Sequence, residues 1–112
     1  MKKICISEKH RQDLESIIKQ IGDESPSPET CRVLGFVQEG NEIDVPKAAM
    51  IYWAIEDTID SESDIELYGD RALAFEILYD KLEEAIGVDS LRNINKPVRW
   101  NLQIDNLLQR FE

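Results

Sequence analysis

The stretch Ala48-Ala49-Met50-Ile51-Tyr52-Trp53-Ala54-Ile55 decides the fold, because its only polar side-chain groups are the Tyr52 hydroxyl and the Trp53 indole. A helix that is apolar on all sides must be surrounded by other elements. The preceding Asp44-Val45-Pro46 is typical of a helix start, since proline suits the first turn. We therefore predict a central helix over residues 46–59, with Trp53 in the core.

Two further helices are predicted before this run. Residues 8–21 place isoleucines and a leucine on one face at helical spacing, with Ser7 as the cap and Gly22 as the stop. Residues 28–38 follow a loop rich in serine and proline and end before Gly40. Both segments present an apolar face that can pack against the central helix.

Two more helices are predicted after it. Residues 70–86 carry apolar side chains at helical spacing and end at Gly87, while residues 64–68 could either join this helix or stay outside it. After an irregular link over residues 89–96, a last helix is expected at 97–111. Its buried stripe would consist of five large apolar side chains: Trp100, Ile104, Leu107, Leu108 and Phe111.

These segments predict an all-α fold, a compact bundle of about five helices in one domain over residues 1–112. The composition supports it, because 42% of the 112 residues are hydrophobic, enough for one core. Ile4-Cys5-Ile6 could form a short extended segment at the N-terminus. No other stretch alternates with a period of two, so we expect no partner strand.

The composition also limits where the protein works. No window approaches the ~18 apolar residues of a membrane span, and the start becomes polar at Ser7 before a signal peptide could form. We therefore expect a cytoplasmic protein without membrane contact. Cys5 and Cys31 lack the spacing of metal or redox motifs, and we expect two reduced thiols packed as small apolar groups.

The charge is the most informative feature. The net charge is -10, and residues 39–89 carry fifteen acidic side chains against Lys47, Arg71 and Lys81. No positive side chain lies between Lys47 and Arg71, whereas seven carboxylates do, from Glu56 to Asp70. This surface could serve solubility alone. Alternatively, it could steer a basic partner and raise its association rate.

Catalytic, cofactor and nucleic-acid motifs are missing from the sequence. His10 is the only histidine, predicted to be exposed, and neither a nucleophile elbow nor a glycine-rich phosphate loop occurs. Residues 60–66 begin like a calcium loop, but Ile65 and Arg71 replace its required glycine and glutamate. The acidic charge disfavours direct DNA binding. We expect no enzyme, no cofactor and no metal.

The favoured hypothesis is an acidic inhibitor, of the kind represented by immunity proteins, that neutralises a basic partner such as a nuclease toxin. Tyr68 would be an aromatic anchor ringed by carboxylates. The alternative is a regulatory or structural subunit that uses an apolar helix face, followed by a nucleic-acid mimic; the oligomeric state is left open. The predicted partner-binding residues are Glu56, Asp57, Asp60, Glu62, Asp64, Glu66, Tyr68 and Asp70.

Overall fold

The computed structural model of the chain describes residues 3–24, 28–60 and 67–87. Within these ranges the fold is a compact helical bundle with a short two-stranded sheet, which confirms the predicted all-α class. The predicted helix at 97–111 lies outside the described residues. The described elements are β1 (Lys3–Cys5), α1 (Glu8–Glu24), α2 (Pro28–Gln38), β2 (Glu42–Asp44), α3 (Val45–Asp60) and α4 (Gly69–Ile86).

The two strands correct the expectation that the N-terminal segment has no partner. β1 pairs antiparallel with β2, and Ile4 lies opposite Ile43. Both isoleucines are buried, while their neighbours in the strands lie nearer the surface. A three-residue strand with one apolar side chain is too short to show a period of two, so the pattern in the sequence missed β2.

The start of α1 is as predicted, but its end is not. The Ser7 hydroxyl accepts a hydrogen bond from the backbone N–H of His10 (3.2 Å) and so caps the helix. The His10 ring is half-buried rather than exposed, with Nδ1 2.8 Å from the same hydroxyl. The helix then continues through Gly22 to Glu24. A Cβ at Gly22 would lie 3.2 Å from Thr30 Cγ2, so this glycine allows close approach to α2.

The core is built around α3, as predicted. Every residue from Ala48 to Ile55 except Tyr52 is buried, and Trp53 is only 4% exposed. No polar or charged residue in the described ranges is fully buried. The other helices contribute one row each: Leu14, Ile17, Ile18 and Ile21 of α1, Val33, Phe36 and Val37 of α2, and Ala74, Leu78 and Leu82 of α4.

The remaining helix ends agree with the predictions to within a residue. Tyr68 has extended backbone angles, so the segment before Gly69 does not continue into α4. At the other end, Gly87 has a φ of 85° and its N–H donates to the carbonyl of Glu83 (2.7 Å). A positive φ favours glycine, which explains why the helix stops there.

The two cysteines are free thiols, but the prediction that they pack as apolar groups is wrong. Both Cys5 and Cys31 are exposed. Cys5 follows Ile4 in β1, and successive strand residues face opposite sides of the sheet, so the buried Ile4 places its neighbour at the surface.

Candidate protein-binding site

The structure places five of the eight predicted partner-binding residues, on α3 or at the start of α4. Glu56 is half-buried on α3, and the same helix includes positions 57 and 60. Tyr68 and Asp70 lie at the beginning of α4 and are exposed. The other three, Glu62, Asp64 and Glu66, lie outside the described residues.

The Tyr68 side chain is the most exposed large apolar group in the described ranges. It is 69% exposed, and Leu73, at 47%, is the other such residue. The Tyr68 side chain makes no hydrogen bond that caps α4. Because the ring gains little from burial when the chain folds, its apolar surface remains available for burial against another molecule.

Asp70 already has a partner within the chain. Lys9 Nζ of α1 lies 3.0 Å from Asp70 Oδ2 and 3.3 Å from Asp13 Oδ2. The hydrogen bond to Asp70, followed by that to Asp13, raises the pKa of Lys9 above its ordinary value. Asp70 also lies in the first turn of α4, where the helix dipole favours a negative charge. It therefore adds less free negative charge to the surface than its sequence position suggests.

The two cations that border the acidic stretch contact other parts of the molecule. Lys47 Nζ lies 2.9 Å from both carboxylate oxygens of Glu39 and 5.3 Å from the centre of the Phe36 ring. Arg71 donates hydrogen bonds to two neutral side chains of α1, Ser16 and Gln20. Neither side chain neutralises a described carboxylate between residues 56 and 70.

The end of α3 is an unfavourable place for negative charge. Asp57 and Asp60 occupy its last turn, which contains no basic residue. The helix dipole is negative at this end and disfavours negative charge in the last turn. A cation brought to this end would be favoured by the helix dipole.

A second acidic surface, which was not predicted from the sequence, lies on α4. Glu76, Asp80 and Glu84 are exposed and follow each other at intervals of four residues. Within the described part of the chain, no ion pair reaches any of them. Like charges at this spacing repel each other along a helix. That spacing was the signal available in the sequence.

An aromatic cluster lies beside this row, between α3 and α4. Tyr52 stacks on Phe75 with ring centres 5.3 Å apart and tilts against Tyr79 at 5.6 Å. All three rings are half-buried. A surface groove of about 320 Å³ is lined by Phe75, Glu76, Tyr79 and Asp80. The groove therefore combines aromatic surface with two carboxylates.

Among the described residues, two carboxylates with clearly shifted acidity lie on α1. Arg11 holds the pKa of Glu8 below its ordinary value, mainly through a side-chain hydrogen bond. The pKa of Glu15 is also lowered, first by its hydrogen bond from Lys19. Both shifts favour the charged form and belong to ion pairs on the helix surface.

The described ranges lack both a metal-binding cluster and a membrane-spanning helix. They contain no group of three histidine, cysteine, aspartate or glutamate side chains that could hold a metal ion. Nor does any helix among the described residues have the length and apolar character needed to cross a membrane.

Comparison of the chain with protein-family models, with curated proteins and with solved structures found no match.

Proposed function

We propose that this chain is an immunity-type inhibitor that neutralises a basic protein, such as a nuclease toxin, by covering its active or nucleic-acid-binding surface. The observation that carries this proposal is the 69% exposure of Tyr68, which lies in the sequence among seven carboxylates from Glu56 to Asp70. Aromatic anchors surrounded by polar residues are characteristic of the centres of protein interfaces.

The electrostatic part of the proposal depends on uncompensated charge. Lys47 and Arg71 border the acidic stretch in sequence, yet their described contacts are with Glu39 and with neutral groups of α1. A local negative potential steers a cationic partner and increases its association rate. The carboxylates proposed to pair with lysine and arginine of the partner are Glu56, Asp57, Asp60, Glu62, Asp64 and Glu66.

The unfavourable position of Asp57 and Asp60 also supports a binding role. A solubilising charge is equally effective anywhere on the surface. Positions 57 and 60 lie instead at the end of α3, where the helix dipole disfavours negative charge. A cationic partner bound at this end of α3 would offset the unfavourable charge. The chain would therefore be more stable in the complex than alone.

The second candidate function is a regulatory or structural subunit that binds through an apolar helix face. The half-buried rings of Tyr52, Phe75 and Tyr79 and the exposed Leu73 favour it. Its binding would persist at high salt or would appear as self-association, whereas pairing between charges weakens as salt increases. A nucleic-acid mimic would use the acidic surface but bind a DNA-handling enzyme.

The first test is an affinity purification from the native cell type at low and then high salt, with mass spectrometry of the released proteins. The acidic-inhibitor proposal expects one basic protein that elutes with salt. Retention that salt does not affect would favour the apolar alternative, and retention of no basic protein would leave the acidic surface with a solubilising role.

A charge-matched pair of variants then tests the site. The double variant D60N/D64N and the control E76Q/D80N each remove two negative charges, but only the first changes the proposed site. We expect D60N/D64N to slow association with the purified partner about two- to tenfold at low salt. Equal association rates for wild type and D60N/D64N would contradict steering by this stretch.

Tyr68→Ala separates binding from folding. Because the side chain is largely exposed, its loss should change the free energy of unfolding by no more than about 0.5 kcal/mol. Loss of an interface anchor should weaken binding by about 2 kcal/mol or more, mainly through faster dissociation. Tyr68→Phe, which keeps the ring, should retain most of the affinity.

A further inference from the structure

Lys47 shows how this protein binds a cation at its surface. Its Nζ lies 2.9 Å from both carboxylate oxygens of Glu39 and 5.3 Å from the centre of the Phe36 ring. The ring adds a cation–π attraction to the ion pair, so a carboxylate and an aromatic face bind the ammonium group together. Another place with the same two components, but without a cation, is a candidate site for a cation from outside the chain.

The groove on α4 contains these components without a cation. Its lining consists of the rings of Phe75 and Tyr79, which are half-buried, and the carboxylates of Glu76 and Asp80, which are exposed. Within the described ranges, neither carboxylate forms an ion pair with a lysine or an arginine. Lys81, the next basic residue of α4, lines a different groove. The negative charge and the ring surface are therefore both available to another molecule.

The aromatic rings of the groove are held in place by α3. Tyr52 of that helix stacks on Phe75 with ring centres 5.3 Å apart and nearly parallel planes (5°), and it tilts against Tyr79 at 5.6 Å. A ligand therefore meets rings that are already positioned, which lowers the entropic cost of binding. The groove volume of about 320 Å³ lies at the small end of the range for ligand sites, about 300–1,000 Å³. The groove therefore suits one large side chain.

The spacing of the two carboxylates favours a guanidinium group over an ammonium group. Glu76 and Asp80 lie about one helical turn apart, with about 5–6 Å between their Cβ atoms. A guanidinium is planar and carries five N–H donors, so it can donate to two carboxylates while one face lies against a ring. An ammonium is a compact, strongly hydrated charge without a flat face. The net charge of -10 also favours a basic partner over an acidic one.

We propose that the groove lined by Phe75, Glu76, Tyr79 and Asp80 binds an arginine side chain from a basic segment of another protein. The guanidinium lies against the aromatic surface and donates hydrogen bonds to both carboxylates. The groove is a second site, separate from residues 56–70, so this inference does not depend on the proposed function.

The test is an NMR titration of the full-length, ¹⁵N-labelled protein with three short peptides that are blocked at both ends. The peptides are identical except for a central arginine, lysine or methionine, and their other residues are uncharged. We expect the arginine peptide to give saturable shifts at the backbone amides of residues 75–80. It should bind at least about threefold more tightly than the lysine peptide, and the methionine peptide should bind more weakly than both.

Variants separate the groove from the overall charge. E76Q/D80N removes both groove carboxylates, whereas E42Q/E84Q removes two charges from exposed residues outside the groove. The first should weaken binding of the arginine peptide about three- to tenfold, and the second less than about twofold. Tyr79→Leu should weaken it about two- to fivefold, while Tyr79→Phe keeps the ring and most of the affinity. If Tyr79→Leu disturbs the fold, the two charge variants still decide the question, because their changes are at exposed positions.

Three results would overturn the proposal. The absence of saturable shifts at residues 75–80 would show that the groove binds no arginine. Equal weakening by E76Q/D80N and E42Q/E84Q, or equal affinity for the arginine and lysine peptides, would show general attraction between charges instead of a site. Equal affinity for the arginine and methionine peptides would make the groove an apolar contact surface.

Discussion

Arg71 Nη2 of α4 lies 2.6 Å from Ser16 Oγ of α1, and Nη1 of the same guanidinium lies 2.5 Å from Gln20 Oε1. The contact with Ser16 joins residues that are 55 positions apart in the sequence. Arg71 is the first basic residue after Lys47 in the sequence, which suggests that it neutralises the carboxylates between them. Its described contacts instead make it a tie between two helices.

Arg71→Ala should lower the free energy of unfolding by about 1–3 kcal/mol, because a half-buried guanidinium loses two charge-assisted hydrogen bonds. Urea denaturation measures this change. Lys81→Ala is the control, since Lys81 is exposed on the same helix and should change stability by less than about 0.5 kcal/mol. If the two variants lose equal stability, the tie contributes nothing measurable.

Leucines at two positions of α4 should respond very differently to truncation. Leu78 is completely buried, so Leu78→Ala should cost about 2–5 kcal/mol through lost burial and a remaining cavity. Leu73 is 47% exposed, and Leu73→Ala should cost much less. Thermal and urea unfolding of both variants tests whether α4 has this orientation; similar costs would contradict it.

Two glycines should respond with opposite signs to alanine. Gly35 lies within α2, and a Cβ there would meet no atom within 4 Å. Gly35→Ala should therefore raise the free energy of unfolding by about 0.5–1 kcal/mol through helix propensity. Gly87 has a φ of 85°, so Gly87→Ala should lower it by about 1 kcal/mol. A stabilising Gly87→Ala would disprove the left-handed stop.

Part of the decrease in the free energy of unfolding at acidic pH should come from Glu15. Its pKa is lowered below the ordinary value of 4.5, first by the hydrogen bond from Lys19 Nζ at 2.9 Å. The stability from a lowered pKa is fully present above the ordinary value and is lost as the pH falls through the lowered one. Glu15→Gln should therefore be less stable than wild type at pH 7, and the difference should shrink as the pH falls below the ordinary value of 4.5.

Urea denaturation at several pH values gives this difference directly. Repulsion among the carboxylates of residues 39–89 also changes with pH, but it affects wild type and Glu15→Gln alike and cancels in the comparison. Glu76→Gln is the control, because Glu76 is exposed and makes no ion pair within the described ranges. A Glu15→Gln difference that is independent of pH would contradict the assignment to this carboxylate.

Local patterns in the sequence predicted most of the helical elements correctly. The period of 3.6 residues, the Ser7 cap and the stop at Gly87 depend on residues within about one turn of each other, so they can be read without knowing the fold. The all-round apolar character of residues 48–55 placed α3 at the centre, because such a surface has no stable alternative in water.

Contacts between distant residues were not predictable in this way. Three features depend on which elements become neighbours: the pairing of Ile4 with Ile43, the continuation of α1 beyond Gly22, and the exposure of both cysteines. For the candidate site, the sequence alone determined the uneven distribution of charge. Only the tertiary structure decided that Lys9, 61 positions away, pairs with Asp70 and that Arg71 binds α1. Residue spacing determines which side chains share a helix face. Charge pairing between distant residues depends on distances in space, and these are set only when the chain folds and closes its long loops.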